Sequence, residues 1–232
     1  MLADAPPLGR RLAAEGIGSF FLFATVIGSG IMAERLADGN DAVALIANTA
    51  ATGAILFVLI TMLGPISGAQ MNPAVSLVAA SRGDLKWRDA FAYIAIQLLF
   101  GIAGAFAAHA MFDLPLLQYS AKARTGSGQW LGEAIATFGL VLTIWGTAKH
   151  RPKAVPASVA LYITAAYWFT SSTSFANPAI TVARSLTDSF SGIAPGNAPG
   201  FIIAQLVGAA LAALAVRALF GDRMGDEAMP LR

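Results

Sequence analysis

Apolar residues run through this chain in long unbroken blocks. No charged residue falls between Asp41 and Arg82, between Asp89 and Asp113, between Lys153 and Arg184, or between Asp188 and Arg217. Each block is at least as long as the roughly 20 apolar residues that a bilayer-crossing helix needs. The pattern predicts six spans, at about 12–33, 42–64, 87–111, 129–149, 155–172 and 199–220. Two shorter apolar pieces remain, one after Asn72 and one after Asn177, each following a Gly/Ser-rich turn. Such pieces are too short to cross, and they survive at membrane depth only when buried in protein or lining a wet cavity. The expected fold class is therefore an all-α membrane protein, with six transmembrane helices and two re-entrant half-helices.

Composition agrees. Of 232 residues, 12% are charged and 56% apolar, against roughly 25% charged in a soluble domain. The net charge of +2 is spread along the chain, which is no nucleic-acid signature. The absence of cysteine excludes thiolate chemistry and disulfides. With His109 and His150 as the two imidazoles, neither a metal nor a cofactor is expected. Arg10 and Arg11 precede an apolar stretch that continues to Ala33 without a convincing cleavage site, so no cleavable signal is expected.

The bases set an orientation. Arg10, Arg11, Arg82, Lys86, Arg88, Lys149, Arg151, Lys153, Arg217, Arg223 and Arg232 fall on one side of the six spans. Arg35, Lys122, Arg124 and Arg184 fall on the other. The excess of bases marks the cytoplasmic side and puts both termini there. The expected location is the bacterial inner (plasma) membrane, with the lipid bilayer as a partner.

The chain also repeats. Ala14-Glu15-Gly16-Ile17-Gly18-Ser19-Phe20 parallels Gly132-Glu133-Ala134-Ile135-Ala136-Thr137-Phe138. Asn72-Pro73-Ala74 returns as Asn177-Pro178-Ala179, and Gln97-Leu98 as Gln205-Leu206. One channel domain over 1–232 is expected, with a first repeat at about 12–111, a second at about 129–220 and short cytoplasmic tails. Three spans per repeat, an odd number, give the halves opposite polarity, and such folds place their site at the midplane. Asparagine is a favoured helix N-cap, and proline suits the first helical position. Two helix N-termini would meet there, each with about half a positive charge. Together with the asparagine N–H groups, they welcome neutral hydroxylated solutes and repel cations, protons included.

Paired Asn-Pro-Ala motifs in an inverted repeat, with Ser67-Gly68-Ala69-Gln70-Met71 before the first, resemble the major intrinsic proteins, the aquaporins and aquaglyceroporins. The resemblance covers about 12–220. It implies a homotetramer with one pore per subunit and passive permeation of water or small neutral solutes, not enzymatic catalysis. It makes Asn72 and Asn177 the central donors. The carbonyls of Gly68, Ala69 and Gln70, and of Ser174, Phe175 and Ala176, become an acceptor ladder. Gln70 stands where the family usually has histidine.

The outer selectivity filter departs from the family pattern. Water-selective members carry arginine directly after the second Asn-Pro-Ala, and Ile180 stands here. Ungapped alignment gives a filter of Thr52, Ala165, Ser174 and Ile180, without charge or ring, so a wide, arginine-less passage is expected. Arg184 lies one helical turn beyond Ile180, about 6 Å further outward. Two readings of it stand: it reaches back over the pore mouth, or it braces the loop or pairs with Asp188. The segment 175–193 and parts of 114–126 further resemble a bacterial subgroup associated with arsenic detoxification. Glycerol, trivalent arsenic hydroxide and methylarsenicals are then expected solutes beside water.

Glu15 and Glu133 are the carboxylates deep inside predicted spans. A buried ionisable group suggests a proton relay, but the symmetry of the pair favours structural carboxylates that accept N–H bonds from the re-entrant loops. Gln97 and Gln205 are expected to be structural amides. Gly101, Ala103, Gly104 and Ala105, with Gly208, Ala209 and Ala210, are expected at close helix contacts. The competing functions are a mainly water-conducting channel and a proton-coupled secondary transporter.

Overall fold

A computed structural model describes residues 6–221. The tails, with Arg223 and Arg232, lie outside the described residues. Among these, regular structure is helical throughout. Helix α1 spans Leu8–Leu36, α2 Asp41–Ser67, α3 Pro73–Ser81 and α4 Trp87–Met111. Helix α5 spans Ser127–His150, α6 Val155–Phe169, α7 Pro178–Arg184 and α8 Ala198–Phe220. The order long, long, short, long occurs in both halves if α6 is counted as the second long helix.

Helices α1, α2, α4, α5 and the 195–220 segment containing α8 are long and apolar enough to cross a bilayer. The expected fifth span is shorter than its sequence pattern. A 3₁₀ turn at Pro152–Ala154 precedes α6, and Thr170 turns to an extended backbone at φ −103° and ψ 140°. The 15 helical residues reach about 22 Å. Proline at its start and the Thr/Ser turn at its end set these limits, not loss of apolar character.

Closest approach of the long helices occurs at matching places in the two halves. A Cβ on Gly104 of α4 would collide with the Phe20 carbonyl of α1, and one on Gly208 of α8 with the Ala134 carbonyl of α5. Gly101 likewise receives the Phe23 ring. Glycine is required because backbone, which cannot move aside, fills the space. Ala105 and Ala209 are buried. Ala103 and Ala210 are exposed on the outer helix faces, a departure from the expected contacts. They fall on the far side of the helical period from the glycines. Large apolar side chains such as Phe91, Leu161 and Leu214 are exposed too, as a lipid-facing surface requires. Trp87, Trp130 and Trp168 are half-exposed, whereas Trp145 is buried and donates to Asp84 at 2.9 Å.

The half-helices begin as their sequence dictates. Asn72 Oδ1 accepts the Ala74 N–H at 2.9 Å, and Asn177 Oδ1 accepts the Ala179 N–H at 2.9 Å, each with proline at the first helical position. These caps free neither helix from the other, because the same asparagines tie the halves together.

Candidate functional site

Asn72 Nδ2 donates to the Ala176 carbonyl at 2.8 Å, and Asn177 Nδ2 donates to the Met71 carbonyl at 2.8 Å. Each amide nitrogen carries two N–H groups. One is committed to the opposite loop, leaving one, not two, for a solute. The pair is thus both the joint between repeats and a source of two donors.

The loops leading to these asparagines are held in an unusual conformation. Ala69 and Met71 in the first, and Ser174 and Ala176 in the second, have φ between 46° and 49°. That left-handed region costs a non-glycine residue of order 1–3 kcal/mol. Two carboxylates oppose the strain. Glu15 accepts the Gln70 and Met71 N–H groups at 2.8 and 2.7 Å, the Ser67 hydroxyl at 2.7 Å and Gln97 Nε2 at 2.8 Å. Glu133 accepts the Phe175 and Ala176 N–H groups at 2.8 and 2.9 Å and Gln205 Nε2 at 2.6 Å. Gln97 also donates to Ser76 and Gln205 to Thr181, at 3.1 and 2.9 Å, fastening each loop to its half-helix. Turning the N–H groups toward the carboxylates leaves the carbonyls of these loops available on the other side.

Two chambers meet at the asparagines, and both Asn72 and Asn177 line each of them. Leu22, Leu56, Leu140 and Ile163 are also common to both. At the junction, therefore, the lining combines amide and aliphatic side chains. The first chamber continues past Thr52, Tyr167, Ser174, Ile180 and Arg184, and Phe175 and Ala176 line it too. The second continues past Gly68, Ala69, Gln70 and Met71 toward Val155 and Val159. Glu15 and Glu133, fully buried, line neither chamber.

Ala165 is not in the first chamber. It is exposed on the outer face of α6, and Tyr167 takes the place expected of it. Two residues along a helix are a rotation of about 200°. The strained Thr170–Thr173 turn makes the ungapped count back from Asn177 come out on the wrong face. The signal that marks Tyr167 is its four-residue spacing from Ile163 and Val159. Its hydroxyl meets Thr52 Oγ1 at 3.3 Å, joining α6 to α2.

A ringless, arginine-less passage is not what the residues form. Arg184 is fully buried and lines the same chamber as Ile180. Its guanidinium carbon lies 3.4 Å from the centre of the Phe175 ring, and its Nε donates to the Ser191 carbonyl. The expected pairing with Asp188 is not what holds it, since Asp188 accepts the Ala121 N–H at 2.9 Å. Arg184 therefore joins both expected roles, bracing the 185–193 loop and facing the chamber. The Phe175 side chain was missed from sequence, where only its carbonyl drew attention.

The connection 113–126 folds over this mouth. Lys122 Nζ donates to the Phe190 carbonyl at 3.0 Å, while Glu34 accepts the Phe190 N–H at 2.8 Å. Burial, then the neighbouring charge of Arg124, pulls Lys122 below the usual lysine range. His109 packs inside, with Nδ1 at 2.7 Å from the Leu116 carbonyl, and His150 lies edge-on to Phe220 away from both chambers.

Comparison with known proteins shows the family and the fold. The chain matches the major intrinsic protein family over residues 3–176. It is similar to the aquaglyceroporin AqpS of Rhizobium meliloti (strain 1021), with 58% identity over 210 residues, 90% of each chain. It is 31% identical over 244 residues to the aquaporin AqpM of Methanothermobacter thermautotrophicus, covering 93% of this chain and 99% of the relative. The X-ray structure of the aquaglyceroporin from Plasmodium falciparum superposes with a TM-score of 0.69 at 17% identity, over 92% of this chain and 97% of the other.

Proposed function

The chain belongs to the major intrinsic protein family, a family of membrane channels, and from that premise we propose that it passes glycerol-sized neutral solutes through the two chambers. The observation that carries this reading is the shared junction. Asn72 and Asn177 line both chambers together with Leu22, Leu56, Leu140 and Ile163. A polyol or a metalloid hydroxide presents hydroxyls along one edge and non-hydrogen-bonding surface along the other. It replaces its water on the amide and carbonyl wall and leaves its apolar edge against the leucines. A hydrated cation has no such edge, and it meets two helix N-termini that each carry about half a positive charge.

In this reading Thr52, Tyr167, Ser174, Ile180 and Arg184 form the selectivity filter at the outer mouth, and the Gly68–Gln70 and Ser174–Ala176 carbonyls form the ladder. Glu15 and Glu133 brace the ladder and carry no protons across. Both termini lie in the cytoplasm, the repeats are about 12–111 and 129–220 of a single domain, and the pores assemble as a homotetramer. Trivalent arsenic hydroxide is the cargo of interest beside glycerol, because it is a compact neutral triol.

One observation favours a mainly water-conducting channel. Arg184 and the Tyr167 and Phe175 rings crowd the mouth where the sequence alone promised open space. Efflux of arsenous acid from preloaded proteoliposomes, counted as elemental arsenic, decides between them. Efflux well above that of empty liposomes supports the wider specificity. Water permeation with arsenic retained supports the narrow one.

A further inference from the structure

The Phe175 ring has a second cation against it. Arg124, from the 113–126 connection, is buried, and its guanidinium carbon lies 5.3 Å from the ring centre that Arg184 approaches to 3.4 Å. The two guanidinium carbons are thus within about 9 Å of each other. Arg124 Nε donates to the Gly192 carbonyl at 2.8 Å, and its terminal nitrogens reach the Phe190 and Ser172 carbonyls at 3.3 and 3.4 Å. Arg184 likewise donates to the Ser191 carbonyl. Carbonyls orient these charges but do not cancel them. Lys122, in the same connection, feels the charges of Glu34 and Asp41. Glu133 is the acid whose charge acts on both arginines, and its oxygens are already held by two backbone N–H groups and Gln205.

We infer that Arg124 is a second charge-selecting residue of this mouth, excluding cations together with Arg184 although it lies on a different segment and does not line the chamber. The inference rests on the proposed channel function. Such an arrangement rejects cations without narrowing the passage, because the second charge takes up no space in the chamber. A unit charge about 10 Å from a permeating cation, at an effective dielectric of about 20, changes that cation's local concentration by roughly tenfold.

The test is sodium entry into proteoliposomes, read with a trapped indicator, beside glycerol entry in the same vesicles. Arg124→Gln is expected to raise sodium leak roughly tenfold while glycerol still enters. Arg124→Lys, which keeps the charge but loses the planar hydrogen-bond set, is expected to stay as tight as the wild type. Arg124→His is expected to be tight at pH 5 and leaky at pH 8, as the imidazole loses its charge. The inference is overturned if Arg124→Gln is as tight as the wild type, if Arg124→Lys leaks as Arg124→Gln does, or if the Arg124→His leak is flat with pH. Absence of glycerol entry in the wild type would overturn the proposed function and this inference with it.

Discussion

The Asn72 amide donates across the centre of the protein to the Ala176 carbonyl at 2.8 Å, and Asn177 returns the contact to Met71. The residue that caps one half-helix thus also fixes the height of the opposite loop. Asn72→Asp separates the roles. Aspartate caps a helix as well as asparagine does, but the bond to the Ala176 carbonyl is lost and a buried carboxylate faces that carbonyl, so thermal stability in detergent should fall by about 1–3 kcal/mol or more. The N–H donors are gone and a negative charge is added at the junction. Glycerol flux in vesicles is expected to fall at least tenfold, with cation leak rising. Unchanged flux would remove Asn72 from the pathway.

The loop carboxylates give an energetic prediction. Glu133→Ala leaves the Phe175 and Ala176 N–H groups without their acceptor and Gln205 Nε2 with Thr181 alone. Each buried unpaired group costs about 1–3 kcal/mol, so the variant should fail to reconstitute or should melt far below the wild type in detergent. Glu133→Gln keeps an acceptor oxygen and should retain part of the stability. In vesicles its glycerol flux should be the same with and without a proton gradient. Uphill accumulation in the wild type that Glu133→Gln abolishes would establish a coupled transporter instead.

Gly104 and Gly208 predict a paired packing defect. Alanine at either position forces a Cβ into the Phe20 or Ala134 carbonyl, and overpacking of this kind costs about 1–3 kcal/mol. Ala103→Leu, on an exposed face, should leave the melting temperature nearly unchanged. Equal effects at positions 103 and 104 would contradict the helix crossing described here.

The chain has no cysteine, so organomercurials should leave its flux untouched. This gives a clean map of the mouth. Ser174→Cys and Tyr167→Cys should become sensitive to a membrane-impermeant mercurial, because both side chains line the first chamber. Ala165→Cys, on the outer face of α6, should stay insensitive. Block at 165 without block at 167 would reverse the assignment.

The spans, the half-helices and the asparagine pair were legible in the sequence because each rests on local chemistry: apolar length, capping preference and proline position. The brace from Glu15 and Glu133 was legible through the symmetry of the repeat. The mouth was not. Tyr167 was hidden by a strained turn that spoils counting by residues, and Ala165 took its place in the alignment. Arg184 turns toward the chamber because the Ser191 carbonyl, seven residues on, holds its Nε; that contact depends on how the 185–193 loop folds back. The ring of Phe175 matters through its contacts with two arginines from distant segments, and no spacing in the chain announces that. Helix α6 is short for a similar reason, since its ends are set by turns and not by hydropathy.

The most direct test of the central claim is glycerol entry into proteoliposomes, followed by light scattering in a stopped-flow cell as the outside concentration is raised without any ion or proton gradient. The account predicts entry well above that of empty liposomes, rising linearly without saturation and indifferent to an imposed proton gradient. Glycerol entry no faster than in empty liposomes, or entry that saturates and requires a gradient, would contradict it.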